Sequence, residues 1–90
     1  MTSRRTNINA VLKMTRDFLE GRMDSISYWL DFPYEVAKRH QKMLREDPEL
    51  TDLIYVYLLE GGTDLHSGLS DEEFRALIQR QYDEVMDGVY

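Results

Sequence analysis

Apolar residues recur every three or four positions through most of the chain, the spacing that places them on one face of an α-helix. The first such pattern spans residues 8–20, and its inward positions are Ile8, Val11, Leu12, Thr15, Phe18 and Leu19. Asn7 precedes it as a candidate N-cap, and Gly21 follows it as a residue suited to the left-handed conformation that ends helices. The pattern predicts a first helix over residues 8–20.

The second pattern is interrupted by Pro33. Proline lacks a backbone N–H donor and disfavours helix at the residue before it. We therefore predict a short helix over residues 25–31 and another over 33–46, with a single kinked helix as the alternative. The short piece has an apolar stripe of Ile26, Trp29 and Leu30. The longer piece has a predicted buried face of Val36, Ala37, His40, Met43 and Leu44.

The third pattern begins at Asp47-Pro48-Glu49, a capping carboxylate followed by proline at the first helical position. Its run Leu53–Leu59 is apolar nearly all round, which predicts the central and most buried helix, ending at Gly61-Gly62. A strand is the alternative, because β-branched and aromatic residues favour it. The chain has only one such run, so a strand would have no ladder partner, and we predict a helix.

The last pattern follows a loop over residues 61–69. Ser70 and Glu73 have the spacing of a capping box, and Leu69 and Phe74 that of a hydrophobic staple. The apolar positions of the helix that follows are Phe74, Leu77, Ile78, Tyr82 and Val85. This pattern predicts an amphipathic helix that ends near Asp87-Gly88.

Together these patterns predict an all-α fold, a compact antiparallel bundle of four main helices plus one short helix. Ninety residues form one domain, residues 1–90, of which 1–6 are expected to be a flexible N-terminal arm. No stretch approaches the roughly 20 apolar residues that span a bilayer, and the chain contains no cysteine. We expect a cytoplasmic protein without a membrane partner.

Charge is divided unevenly along the chain. The net charge is −6, but residues 1–45 carry nine Lys/Arg and five Asp/Glu, whereas residues 46–90 carry two Arg and twelve Asp/Glu. The second half therefore has a charge of −10, which repels nucleic-acid phosphates and attracts basic surfaces. Solvated helix faces that keep a small protein soluble are the alternative explanation.

The titratable residues give no pattern typical of an enzyme. His40 lies on a helix edge among basic residues, and His66 shares its loop with Asp64 and Ser67. A catalytic triad needs members that converge from separate elements, and a metal site needs more ligands than this loop supplies. We therefore expect no catalysis, no metal and no cofactor.

Tyrosine is frequent, with six residues in the chain. Tyrosine and tryptophan are common at binding hot spots because they combine a large apolar area with one polar group. We expect Trp29, Tyr57 and Tyr82 to fill the core. Tyr55 lies off the main apolar stripe of its helix and is predicted to be an exposed aromatic contact.

The order of several segments resembles a known family. These segments are Phe18-Leu19-Glu20-Gly21-Arg22-Met23, the aromatic-rich stretch 25–32, the helix 53–60 and the segment 68–75, Gly-Leu-Ser-Asp-Glu-Glu-Phe-Arg. Over residues 8–87 the chain is similar to the colicin D-type immunity proteins and the related immunity proteins of contact-dependent inhibition systems. The resemblance implies a helical bundle that binds a secreted, basic nuclease toxin one-to-one and covers its active site.

The carboxylates of the acidic half are the candidates for contacts with such a basic toxin, without direct contact to nucleic acid. The predicted partner-binding residues are Asp52, Tyr55, Glu60, Asp64, Glu72, Glu73, Asp83 and Glu84. The alternative is a non-catalytic helical adaptor or regulatory protein with an apolar interface at Leu53–Leu59, a homodimer being one form of it. A third, disfavoured hypothesis is a nucleic-acid binder that uses Arg4, Arg5, Lys38, Arg39, Lys42 and Arg45.

Overall fold

The computed structural model describes residues 5–88, and within them it contains helices and no strand. The α-helices are α1 (Thr6–Leu19), α2 (Ser25–Glu46), α3 (Pro48–Leu53) and α4 (Asp71–Asp87), with a π-helix at Ile54–Glu60 and a 3-10 helix at Thr63–Leu65. The predicted all-α fold class is confirmed. The predicted helix over residues 8–20 corresponds to α1, and Gly21 after it has the expected positive φ of 86°.

Helices α1 and α2 pack as antiparallel neighbours. At one end of the pair, the Phe18 and Tyr28 rings stack with centroids 4.5 Å apart. At the other end, the Arg5 guanidinium lies 2.8 Å from the Asp47 carboxylate. The end of α1 therefore meets the start of α2, and the start of α1 meets the end of α2.

The start of α1 differs from the prediction. Asn7 does not cap the helix, because it lies inside it, and the Glu46 carboxylate accepts the backbone N–H of Asn7 and of Ile8 instead. Residues 1–4 of the predicted flexible arm lie outside the described residues. The arm does not extend to residue 6, since Arg5 is ion-paired and Thr6 is the first residue of α1.

Helix α2 is one continuous helix with Pro33 inside it, so the preferred prediction of two helices is wrong and the single-helix alternative is correct. Because the helix continues past Pro33, one buried stripe runs along it, formed by Tyr28, Phe32, Val36 and Met43. The predicted stripe of Ile26, Trp29 and Leu30 faces solvent instead. On the predicted face of residues 36–44, Val36 and Met43 are buried, Ala37 is exposed, and His40 and Leu44 are partly buried.

The core joins all four α-helices through aromatic and aliphatic side chains. Phe18 and Phe74 contact each other with ring centroids 5.5 Å apart, and Tyr28 and Phe32 with centroids 4.9 Å apart. The Tyr28 hydroxyl is buried and lies 2.8 Å from Thr15 Oγ1, which itself donates to the Val11 carbonyl. Burial raises the pKa of Tyr28 above its usual value, so this hydroxyl stays protonated and donates to Thr15.

The third predicted helix begins as expected but changes type. Asp47 caps α3 by accepting the Leu50 N–H at 3.1 Å. After Leu53 the helix widens, and the Gly61 N–H donates to the carbonyl of Val56, five residues earlier. The expectation of the most buried helix is wrong: four of the 13 residues 48–60 are buried, against five of the 14 residues of α1, and Val56 is 51% exposed.

The C-terminal part of the chain folds largely as predicted. The 61–69 segment contains the short 3-10 helix, and the capping box at the start of α4 is formed, with Ser70 accepting the Glu73 N–H and Glu73 accepting the Ser70 N–H. Helix α4 packs against the π-helix, where Gln81 Nε2 donates to the Gly61 carbonyl at 3.1 Å. This contact brings the two most acidic parts of the chain together.

Candidate protein-binding surfaces

Three of the predicted carboxylates lie along the outer side of α3, the π-helix and the 3-10 helix. Asp52, Glu60 and Asp64 are all exposed. Asp52 and Glu60 are separated by eight residues, with the exposed Val56 midway between them. All three carboxylates are therefore open to solvent and to a partner.

Four further predicted carboxylates lie on α4, and all four are exposed. Glu72 and Glu73 lie in its first turn, where Glu73 also completes the capping box. Asp83 and Glu84 lie about 16 Å farther along the helix axis, and Asp83 accepts a hydrogen bond from Gln79 at 3.0 Å. Asp87, which is not among the predicted partner-binding residues, is exposed at the end of the same helix.

One member of each group lies beside the contact between α4 and the π-helix. Glu60 directly precedes Gly61, the residue that Gln81 contacts, and Glu84 lies three residues after Gln81. We call the set of Asp52, Glu60, Asp64, Glu72, Glu73, Asp83 and Glu84 the acidic surface.

The acidic surface has few internal counter-charges. The ion pairs among residues 5–88 use the carboxylates of Asp17, Glu20, Glu35, Asp47 and Asp71. None of the seven carboxylates of the acidic surface takes part in an ion pair within that part of the chain. Two basic residues lie between the two acidic groups of α4: Arg75, which is partly buried and pairs with Asp71, and Arg80, which is exposed.

Tyr55 does not fit the prediction of an exposed aromatic contact. It is partly buried, packs against the core, and meets the His40 ring edge-on with centroids 4.8 Å apart. Tyr57 and Tyr82 are also partly buried against the core, in keeping with their predicted packing role.

Among residues 5–88, most of the exposed large apolar side chains lie instead on α2. Ile26 is 64% exposed, Leu30 57% and Tyr34 64%, at intervals of four residues along one face. We call these three residues the α2 stripe. Trp29, predicted to be in the core, is 39% exposed and stacks on the His66 ring with centroids 4.5 Å apart. The signal that could have revealed this face was the unbroken buried stripe at 28, 32 and 36, which the division at Pro33 concealed.

A shallow groove of about 420 Å³ lies between the 3-10 helix and α4. It is lined by Leu65, Leu69, Glu73, Ala76, Leu77 and Arg80. Leu65 is 51% exposed at its edge. The groove combines an apolar floor with one acidic residue of the acidic surface.

Some of the basic residues form ion pairs within the protein. Arg5 pairs with Asp47, and Arg39 binds Glu35 and the side-chain oxygen of Asn7. Lys38, Lys42 and Arg45 are exposed along the C-terminal half of α2, and Arg4 lies outside the described residues. The basic set of the nucleic-acid hypothesis is therefore reduced to these three side chains in the described part of the chain.

Both histidines have aromatic neighbours. His66 lies between Trp29 and Phe74, with the Phe74 ring edge-on at 4.8 Å, and His40 contacts Tyr55. Among residues 5–88, no group of three or more His, Asp or Glu side chains is arranged to hold a metal ion. Over the same residues, no helix combines the length and apolarity needed to cross a membrane.

Comparison with protein-family models, with curated proteins and with solved structures gives no match to this chain. The similarity to the colicin D-type immunity proteins therefore stays a prediction from the sequence.

Proposed function

We propose that this chain is a binding protein whose acidic surface holds a basic protein domain. The observation that carries the proposal is the set of seven exposed carboxylates on α3, the π-helix, the 3-10 helix and α4, outside the ion pairs of the described residues. Such a surface attracts a basic partner, speeds its association and repels nucleic acid.

The partner class that we propose is a basic nuclease toxin, which the chain would bind in the cytoplasm of a bacterial cell as an immunity protein. A nuclease needs a positive surface to hold phosphates. Carboxylates that occupy this surface pair with its Lys and Arg side chains and keep the nucleic acid away. The sequence resemblance supports this choice among basic partners.

The groove beside Leu65 supports a protein partner over a small cation. Protein interfaces place an apolar anchor in a pocket and surround it with polar contacts. Here the apolar floor adjoins Asp64, next to Leu65, and Glu73 on α4. We expect a basic side of the toxin to place one apolar side chain there.

Calorimetry with a basic nuclease toxin domain tests the proposal, at about 0.05 M and about 0.5 M salt. We expect one-to-one binding that weakens at least about tenfold at the higher salt. The triple reversal of Asp52, Glu60 and Asp64 to lysine should abolish it.

Single reversals provide a control matched in charge. Glu60→Lys on the acidic surface should weaken binding about tenfold or more, whereas Asp31→Lys on α2 changes the net charge equally and should have a much smaller effect. Equal losses from both variants would contradict a localised acidic interface, and absence of binding would contradict the immunity function.

An adaptor with an apolar interface is the second candidate function. The Leu53–Leu59 run predicted for it is mostly packed against the core, with Val56 as its exposed member. The observation that favours an apolar interface is the α2 stripe.

A further inference from the structure

The exposed charges of α2 are separated by sign along the helix. Asp24, the N-cap, and Asp31 lie in its N-terminal half, whereas Lys38, Lys42 and Arg45 lie in its C-terminal half. All five side chains are exposed. Glu35 and Arg39 neutralise each other at 3.0 Å within the helix. The solvent side of α2 is therefore acidic at one end and basic at the other.

The α2 stripe lies along the same solvent side. Its members Ile26, Leu30 and Tyr34 follow each other at four-residue intervals, the spacing of a continuous ridge on a helix. The Lys38 ammonium lies over the Tyr34 ring, 5.9 Å from its centroid, so the ridge leads directly into the basic half. Apolar contact area and polarised charge occupy one helix face.

We propose that a second copy of this chain docks on the α2 stripe, with the two α2 helices antiparallel. In that arrangement the acidic end of each helix meets the basic end of the other, whereas a parallel pair would bring like charges together. One surface that carries both complementary halves fits a copy of itself through a two-fold axis. This charge pattern is the reason for a second copy as the occupant.

The spacing of the charges locates the two-fold axis near Pro33. Asp24 and Lys42 each lie nine residues from Pro33, on opposite sides, so Asp24 of one copy is level with Lys42 of the second copy. Asp31 then lies within about one helical turn of Lys38 of the second copy.

With the same axis, two of the three apolar residues also meet. Leu30 of one copy lies within about one turn of Tyr34 of the second copy, whereas Ile26 is level with His40 of the second copy. The charged pairs and the contact between Leu30 and Tyr34 therefore share one register.

Three apolar residues and a few exposed ion pairs make a small interface, so the dimer is expected to be weak, with a Kd of about 10–100 µM. The inference does not rest on the proposed function, because it concerns the isolated chain and a different helix from the acidic surface. Evidence against the dimer would therefore not contradict the proposed function, and the reverse also holds.

Sedimentation equilibrium of the purified chain, from about 5 µM to about 500 µM, tests the dimer. The weight-average mass should rise from 10.7 kDa towards twice that value. Leu30→Lys should raise the Kd at least about tenfold, whereas Val56→Lys, at a similarly exposed apolar position on the π-helix, should leave it unchanged. A monomer at every concentration, or equal effects of the two variants, would overturn the proposal.

Charge exchange tests the orientation of the helices. Asp31→Lys alone and Lys38→Glu alone should each weaken the dimer, and the double variant should restore it, because each pair again joins opposite charges. Circular dichroism of all three variants confirms that the fold is kept. Failure of the double variant to recover, with intact helicity, would overturn the antiparallel arrangement.

A distance measurement provides an independent check, since the chain has no native cysteine. Nitroxide labels on Gln41→Cys, an exposed position eight residues from Pro33, should lie about 25 Å apart or more in the antiparallel dimer. A parallel dimer would place them about 10–15 Å apart, and that result would contradict the proposal.

Discussion

Glu46 joins the last turn of α2 to the first turn of α1. Its carboxylate accepts the Ile8 N–H at 2.9 Å, the Asn7 N–H at 3.0 Å and the Asn7 side-chain amide at 2.8 Å. Desolvation opposes its ionisation, but these donors and the nearby Arg39 outweigh that effect and lower the pKa of Glu46 below its usual value. The free N–H groups at the start of a helix thus find their acceptor on another helix.

We predict that Glu46→Ala lowers the free energy of unfolding by about 1–2 kcal/mol at pH 7, since it removes the cap of α1. A carboxyl whose folded-state pKa is depressed stabilises the fold above its unfolded pKa and loses this contribution as the pH falls through the folded value. The difference between wild type and variant, measured by urea unfolding, should therefore shrink as the pH falls below about 4.5.

Glu49→Ala is the control, because this glutamate is exposed in the first turn of α3. It should change the free energy of unfolding by about 0.5 kcal/mol or less. An equal loss in the two variants, or a difference at Glu46 that does not depend on pH, would contradict the role of the Glu46 carboxylate.

Gly62 marks a close approach between the π-helix and α4. A Cβ atom at this position would overlap the Leu58 carbonyl and lie 2.9 Å from Ile78 Cδ1. Gly62→Ala should therefore lower the free energy of unfolding by about 2–3 kcal/mol in chemical denaturation.

Gly21→Ala is a matched comparison. Nothing lies within 4 Å of a Cβ at Gly21, so only its positive φ of 86° is penalised there, and the cost should be about 1 kcal/mol. A cost at Gly62 no greater than at Gly21 would contradict the close packing of Leu58 and Ile78 around Gly62.

At the scale of the element, α2 shows how tertiary packing outweighs a local signal. Proline inside a helix costs about 3 kcal/mol relative to alanine. Continuing the helix through Pro33 keeps Tyr28, Phe32 and Val36 on one buried stripe, and burying each large apolar side chain contributes about 1.5–3 kcal/mol. The packing is therefore sufficient to retain the proline within the helix.

We predict that Pro33→Ala raises the free energy of unfolding by about 1 kcal/mol or more, because alanine restores the backbone donor and suits the helix interior. Part of the gain is offset, since proline also restricts the unfolded chain. Thermal unfolding followed by circular dichroism measures the effect. A loss of stability would indicate that Pro33 begins a helix, as the two-helix prediction requires.

Local signals predicted those elements whose stabilising contacts are themselves local. The apolar positions of α1, the Asp47 cap and the Ser70–Glu73 capping box all involve residues within a few turns of one another. The true cap of α1 could not be predicted in this way, because Glu46 lies 39 residues from Asn7 in sequence.

The π-helix was also missed. Its hydrogen bonds shift by one residue, while the apolar run at 54–59 gives no sign of which helical register it adopts. The buried face of α2 could not be predicted either, because it depends on which stripe packs against α1 and α4 in the assembled core.

The exposure of charged side chains was predicted better than the exposure of apolar side chains. Carboxylates on polar helix faces are exposed wherever the helix itself is correctly placed, and all seven are exposed. Tyr55, predicted to be exposed, is partly buried and meets the His40 ring, and Trp29, predicted to be in the core, is 39% exposed. An apolar residue can face either way, and only packing decides which.

At the scale of the whole molecule, the described chain measures 43 × 25 × 21 Å. A cross-section of this size holds about two helix layers in each direction, so each helix keeps one face towards solvent. The acidic second half of the sequence becomes the acidic surface on α3, the π-helix, the 3-10 helix and α4, and the basic residues 38–45 lie on α2. The acidic and basic parts of the sequence therefore lie on different surfaces of the folded protein.

Amide hydrogen exchange of the chain with and without the proposed basic toxin tests the central claim most directly. We predict that binding slows exchange in residues 52–64 and 71–87, which carry the acidic surface. Exchange in residues 26–34 of α2 should not change, provided that the protein concentration is below the Kd of the proposed dimer. Protection confined to residues 26–34 would contradict the account, because the partner would then bind the α2 stripe and the carboxylates would serve only solubility.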